Sequence, residues 1–343
     1  MLNYILTILI PLIAIIFGVI NVKKKQDAQD LFSKDYTTVL KGICCIIVVM
    51  VHIRNGYMNP LQEAIGSFGY ICVTLFFMIS AYGMQLSFER KKDYLQYFWR
   101  NRLLALLVPC FLINVFTFVI FGVLDGAYAF RSLWYINDYV LVLLQYCVWF
   151  YIVMQLKKKF AISNRIADMM LIIGVVVSSL ISFFFTDRGA SGLLGWRCER
   201  FGLIYGLLFF RFSRSIKEWL MRNRLPKIIL FIILSVLIGL IYLQFKNVIF
   251  WGEYILKIIL GAIIIFCVLL LSVKRQFGNK FSFWLGRISY EVYLLHTIIM
   301  SAIIKIMPDL SSGVFIMATY VLTLVFATGI NWCSGAIVMR LRV

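Results

Sequence analysis

The chain has 343 residues, 62% of them hydrophobic, with a mean hydropathy of +0.93. A soluble domain is roughly half apolar, and the apolar residues here come in long runs, so composition excludes a soluble globular protein and leaves a polytopic membrane protein. The net charge of +19 would suggest nucleic acid in a soluble chain; here Lys and Arg fall between the apolar runs, where they read as topology charge, and no nucleic-acid partner is expected.

In chain order, eleven apolar spans are long enough, or nearly so, to cross a hydrocarbon core of about 30 Å. They cover approximately residues 2–20, 37–57, 66–88, 103–124, 138–156, 166–186, 198–212, 227–245, 253–273, 287–307 and 312–338. The seventh is the weakest, because Arg197, Glu199 and Arg200 crowd its start. The first is not a good signal peptide: no basic residue precedes it, and Lys23, Lys24 and Lys25 follow it, the reverse of the usual order.

Most Lys and Arg residues cluster after spans 1, 3, 5, 7 and 9 and in the tail, on alternate connections. Basic residues favour the cytoplasmic side. The expected protein is therefore all-α, with about 11 transmembrane helices in the cytoplasmic membrane, its N-terminus outside and its C-terminus in the cytoplasm. Connections are short and no internal repeat or soluble segment stands out, so residues 1–343 read as a single transmembrane domain.

The eight cysteines are scattered, lie mostly within apolar runs and show no CxxC spacing. They read as small buried residues rather than a disulfide or metal set. The two histidines are far apart in sequence, so no metal centre is expected.

The stretch KGICCIIVVMVHIRNGY (Lys41–Tyr57) carries Lys41 at its start and His52 near its far end. His52 follows Lys41 by eleven positions, about 16 Å of helix, which lets Lys41 keep its ammonium at the cytoplasmic surface while His52 sits deep. His296 follows Arg287 by nine residues, about 13 Å, with Glu291 about a turn and a half before it. Ionisable groups inside a membrane are costly and by default mark function. Arg54, Asn55 and Tyr57 after His52 form a polar cluster suited to a wet cavity, whereas His296 sits in the apolar run Tyr293–Met300, where a packed histidine hydrogen-bonded across helices is the simpler reading. A neutral imidazole is the natural general base near pH 7. A base lining a cavity fits transfer of a group across the membrane, and it fits proton-coupled transport as well.

Three motifs in order narrow the choice. Lys41-x10-His52 resembles the Arg/Lys-x10-His signature of the type 3 membrane acyltransferases; FFMISAYGM (Phe76–Met84) is similar to that family's FF-x-x-SG element; LGRISYEVYLLH (Leu285–His296) resembles its closing SY-x-x-YLLH segment. The resemblance implies a core of about ten helices beginning at span 2, with span 1 as an added N-terminal helix. It also implies acyl transfer from acyl-CoA, often acetyl-CoA, to a hydroxyl of an extracytoplasmic sugar, with His52 catalytic and Lys41 at the matching basic position. Two departures stand out. The family's Arg-x-x-Arg before a proline is represented by Arg100-Asn101-Arg102 ahead of Pro109, with Leu103 in place of a second arginine at that spacing, and Ala81 replaces a glycine after Ser80.

On this reading His52 takes the acceptor proton, and Lys41, Arg100 and Arg102 hold the phosphates of the acyl-CoA donor at the cytoplasmic mouth. For Arg100 and Arg102 plain positive-inside anchoring is the competing role. Arg197, Glu199 and Arg200, on the outer side of the seventh span, line a carbohydrate acceptor site or else pair to stabilise a helix end. Ser80 and Tyr82 read as packing groups, and Trp134 and Tyr135 as interfacial belt residues. The expected product is an O-acetylated cell-surface polysaccharide or its lipid-linked precursor. The alternative from another class is a proton-coupled transporter or flippase of lipid-linked sugars, against which stand the lack of a repeat and only five prolines. A third reading is the other polytopic acyltransferase class, which modifies lipids or proteins; the Lys41–His52 spacing and the YLLH ending argue against it.

Overall fold

The computed structural model describes residues 2–20, 23–24, 32–53, 59–125, 130–186 and 191–342. Within them the chain forms fourteen α-helices: α1 (Leu2–Val19), α2 (Lys34–His52), α3 (Pro60–Gly66), α4 (Tyr70–Arg90), α5 (Phe98–Asp125), α6 (Asp138–Phe160), α7 (Asn164–Phe185), α8 (Phe201–Arg211), α9 (Ser213–Met221), α10 (Arg224–Phe245), α11 (Lys257–Ser272), α12 (Lys280–Arg287), α13 (Ser289–Ile306) and α14 (Ser312–Arg342). The one strand pairing among the described residues joins Lys23–Lys24 to Arg275–Gln276, antiparallel and two residues long.

Nine segments among the described residues are long and apolar enough to cross a membrane: α2, α3 with α4, α5, α6, α7, α10, Trp251–Ser272, α13 and α14. The first and seventh expected spans are helical but shorter. α8 has 11 residues, about 16 Å, so the expected count of eleven crossings becomes nine full-length segments and two short helices. The charged residues Arg197, Glu199 and Arg200 stay outside α8, which starts only at Phe201. The protein is an all-helical polytopic membrane protein.

Burial separates inner from outer helices. The most apolar windows of α13 and α2 are 61% and 56% buried, against 11% for α10, whose outward Ile and Leu side chains suit lipid contact. α2 is therefore an interior helix, and small residues let its neighbours approach. Gly42 meets the backbone of Gly286 on α12, and a Cβ at Gly286 would fall 2.0 Å from the Thr38 carbonyl oxygen. The Tyr320 hydroxyl of α14 donates to the Ile46 carbonyl at 2.7 Å. The short α8 packs on α4 through Gly202 and Gly206, spaced as G-x-x-x-G; Cβ atoms there would lie 2.0 and 2.2 Å from the Thr74 and Met78 carbonyl oxygens. The methyl of Ala81, in place of the family's glycine, faces Gly206, so the small partner has moved to the opposing helix. At its other end α8 is tied to α7 by Arg211, whose guanidinium donates twice to Asp168, at 2.6 and 3.0 Å.

The two ends of the chain lie at opposite ends of the bundle. Asn3 is hydrogen-bonded to Asn59, just before α3, whereas Arg342 shares a cavity with Lys91 and Lys92 beyond the far end of α4. Seven of the eight cysteines are buried; Cys333, on α14, is exposed.

Candidate active site

α2 begins at a Ser33 cap and ends at His52, short of the expected limit at residue 57. The polar cluster Arg54, Asn55 and Tyr57 lies outside the described residues. His52 is thus the last residue of its helix, where the chain turns extended at Ile53. His296 comes from the middle of α13, buried, and its ring meets that of His52: centroids 4.7 Å apart, planes at 69°. The two histidines expected to have separate roles are neighbours.

Their hydrogen bonds fix the tautomers. His52 Nδ1 is 2.8 Å from the Val48 carbonyl oxygen and His296 Nδ1 is 3.1 Å from that of Val292. A carbonyl oxygen only accepts, so in each ring Nδ1 carries the proton, and the neutral form of each ring has its lone pair at Nε2. His296 therefore bonds within its own helix and not across helices, contrary to the packed-histidine expectation. Its Nε2 is buried with no hydrogen-bond partner among the described residues.

An aromatic path leads outward from this pair. Tyr293 lies 6.1 Å from the His296 ring, Tyr139 lies 5.1 Å from Tyr293, and Phe76 of FFMISAYGM packs edge-on to both. Ser80 of the same motif donates to the Phe76 carbonyl of its own helix. Next to Tyr139 in sequence, Asp138 lines a cavity of about 250 Å³ together with Trp196, Arg197, Glu199, Glu253 and Lys257. Lys257 stands 3.9 Å from Glu199. This cavity sits where a wider π-helical turn, Trp251–Leu256, leads into α11, and the Cys198 thiol donates to the Glu253 carbonyl. Of the three expected acceptor residues, Arg197 and Glu199 line the cavity and Arg200 does not. Arg200 is buried and donates to the carbonyls of Leu193, Gly195 and Trp196, holding the turn that presents Trp196 at φ 56°. A bulky residue in that backbone region is uncommon and needs such support.

At the other end of the bundle a basic cavity of about 490 Å³ is lined by Lys91, Lys92, Tyr94, Tyr97, Arg102 and Arg342, among others. Arg102 donates to the Tyr94 hydroxyl at 3.0 Å. Burial pushes the Tyr94 phenol up, and the charge and hydrogen bond of Arg102 pull it partly back. Arg100 lies outside this cavity, exposed, with its guanidinium over the Tyr97 ring at 5.0 Å. Lys41 also lies elsewhere: half-buried in α2, it acts electrostatically on Glu291, which accepts from Asn331 Nδ2 at 2.9 Å. The Glu291–Asn331 bond ties α13 to α14. No group of three or more His, Cys, Asp or Glu among the described residues could hold a metal ion.

Sequence reasoning missed Lys257, Lys91, Lys92 and Arg342 as site residues. Lys257 carried a signal, since a lysine inside an apolar run is expensive without a partner. The pairing of His52 with His296 carried none, because it depends on how α2 and α13 cross.

Neither the curated proteins nor the solved structures compared with the chain gave a match. The family model described as "Acyltransferase domain" matches residues 35–332, from the first turn of α2 to within α14. That span holds the histidine pair and most of both polar cavities, and it leaves out α1. The chain is a membrane acyltransferase and belongs to the acyltransferase-3 family.

Proposed function

We propose that this protein moves an acetyl group from cytoplasmic acetyl-CoA to a hydroxyl of an extracytoplasmic cell-surface polysaccharide or its lipid-linked precursor, with His52 as general base. The observation that carries the reading is the His52–His296 pair; a basic cavity at one end of the bundle and a mixed-charge cavity at the other support it. Lys91, Lys92, Arg102 and Arg342 take the phosphates of the donor, and Tyr94 and Tyr97 offer faces to its adenine. Glu199, Glu253 and Asp138 accept from sugar hydroxyls, Arg197 and Lys257 donate, and Trp196 offers a stacking face.

The chemistry follows from the tautomers. His52 Nε2, the lone-pair nitrogen, takes the proton of the acceptor hydroxyl as the oxygen attacks the thioester carbonyl. The C–S bond then breaks, the new ester leaves on the sugar, and the Nε2 proton passes to the departing thiolate. His296, with its own lone pair at Nε2 beside the His52 ring, stabilises the imidazolium formed in between. No nucleophilic Ser or Cys with a paired base is needed.

The test is transfer of radiolabelled acetyl from acetyl-CoA in membranes of cells that make the glycan. Label should reach the glycan with the wild-type protein and fail to reach it with His52→Ala at equal protein level. Label on the glycan at the wild-type rate with His52→Ala would refute the assignment.

A further inference from the structure

The last turn of α2 ends in buried surroundings: Met50 and Ile53 are both fully buried. A helix leaves its final carbonyls without intrahelical donors, and an unpaired carbonyl in apolar surroundings costs several kcal/mol. The Met50 carbonyl accepts the Ile53 N–H at 3.3 Å; further donors come from one buried side chain. Gln62, on α3, is 1% exposed, and its Nε2 donates to the carbonyl oxygens of Met50 and Ile53 at 2.9 and 3.2 Å. These two carbonyls bracket His52. Gln62 is itself fixed, since its backbone N–H donates to Asn59 Oδ1 at 2.9 Å. Asn59 Nδ2 in turn donates to Asn3 Oδ1 at 2.9 Å and to Thr7 Oγ1 at 3.0 Å, both on α1. Thr7 is fully buried and donates to the Asn3 carbonyl.

We propose that Gln62 is a positioning residue for His52, and that α1, outside the family-matched residues, is built into the active site through Asn3 and Thr7 holding Asn59. The proposal rests on the catalytic reading of His52 given above. The relay runs from α1 to Asn59, from Asn59 to the start of α3, and from Gln62 to the two carbonyls on either side of the base. It holds the turn so that His52 Nδ1 stays on Val48 and the ring stays against His296. Without the Gln62 donors the Ile53 carbonyl seeks another partner and the Met50 carbonyl keeps only the long bond from the Ile53 N–H, the turn frays, and the base loses its aim at the reacting hydroxyl. Binding of the donor, at the far end of the bundle, is untouched.

The test uses the full-length protein in membranes of glycan-producing cells, with acetyl-CoA as the varied substrate. Gln62→Met removes both donors at similar volume. Its kcat should fall at least about tenfold, the scale of a small misplacement of a reacting group, with the KM for acetyl-CoA unchanged. Carbethoxylation of His52 by diethyl pyrocarbonate, followed by peptide mass, should quicken about threefold or more as the turn opens locally. Asn3→Leu with Thr7→Val should move both readouts the same way by less, whereas Thr7→Ser, which keeps the hydroxyl, should match wild type. Gln62→Met with wild-type kcat and wild-type His52 reactivity overturns the proposal, as does a loss of activity that only tracks the amount of folded protein. His52→Ala run beside them keeps the two claims apart: if it retains full transfer, the catalytic reading has failed and this one with it; if it is inactive while Gln62→Met is normal, only the positioning role is lost.

Discussion

The ring of His296 stands edge-on to that of His52, 4.7 Å between centroids, and each ring is anchored through Nδ1 to the carbonyl four residues before it. In their neutral forms, two imidazoles so anchored each have the lone pair at Nε2. The arrangement is suited to one proton arriving at His52 and being stabilised by its neighbour. His296→Leu, which keeps volume and removes the nitrogens, is expected to lower kcat by about 100-fold, the low end of general acid–base contributions. His52→Ala should lower it further. Initial rates of acetyl transfer at matched membrane levels check the order of the two effects.

The two arginines near the start of α5 should separate. Arg102 lines the basic cavity and bonds Tyr94, whereas Arg100 rests outside it on Tyr97. Loss of a charge-assisted phosphate contact is worth roughly 1.5–3 kcal/mol, so Arg102→Ala should raise the KM for acetyl-CoA about tenfold or more. Arg100→Ala should leave it within about twofold, as expected for an exposed anchoring charge.

Glu199 and Arg200 adjoin in sequence and are expected to fail in different ways. Glu199→Gln keeps the shape of the mixed-charge cavity and removes its charge, so ester content of the glycan should fall about tenfold with the KM for acetyl-CoA unchanged. Arg200→Lys loses the fork that reaches three carbonyls in the 193–196 turn. It should lower stability by about 2 kcal/mol, read as a lower Tm of the detergent-purified protein.

Close helix approach makes a stability prediction with an internal control. Gly286→Ala sets a methyl 2.0 Å from the Thr38 carbonyl oxygen, so α12 must move away from α2. Overpacking of this kind costs about 1–3 kcal/mol. Gly83→Ala meets nothing within 4 Å and removes a flexible residue from a helix, so its Tm should equal or slightly exceed that of wild type.

Which parts were legible in the sequence follows from the physics of each signal. Apolar runs and alternating basic clusters are local properties, and the helices stand where those runs predict. α8 came out short because charge before Phe201 ends it and the G-x-x-x-G contact with α4, a pairwise property, replaces length as its anchor. His52 stood out because a lone ionisable residue in an apolar run is costly. The expected acceptor trio was split by geometry: Arg197 and Glu199 face the cavity, while Arg200 turns back to its own loop. Lys41, expected at the donor phosphates, lies outside the basic cavity, since α2 starts at Lys34 and carries Lys41 two turns inside the helix. Gln62 gave no signal, as one amide in a short polar stretch looks like any other until the carbonyls it serves are in place.

The most direct measurement is the ester content of the cell-surface glycan, by mass and proton NMR, from cells carrying the intact gene, a deletion, or His52→Ala at matched membrane level. The account predicts that ester-linked acetyl disappears in both altered strains while the glycan still reaches the surface. Retention of the ester with His52→Ala would contradict the catalytic assignment, and loss of the glycan itself from the surface would replace acyl transfer with export.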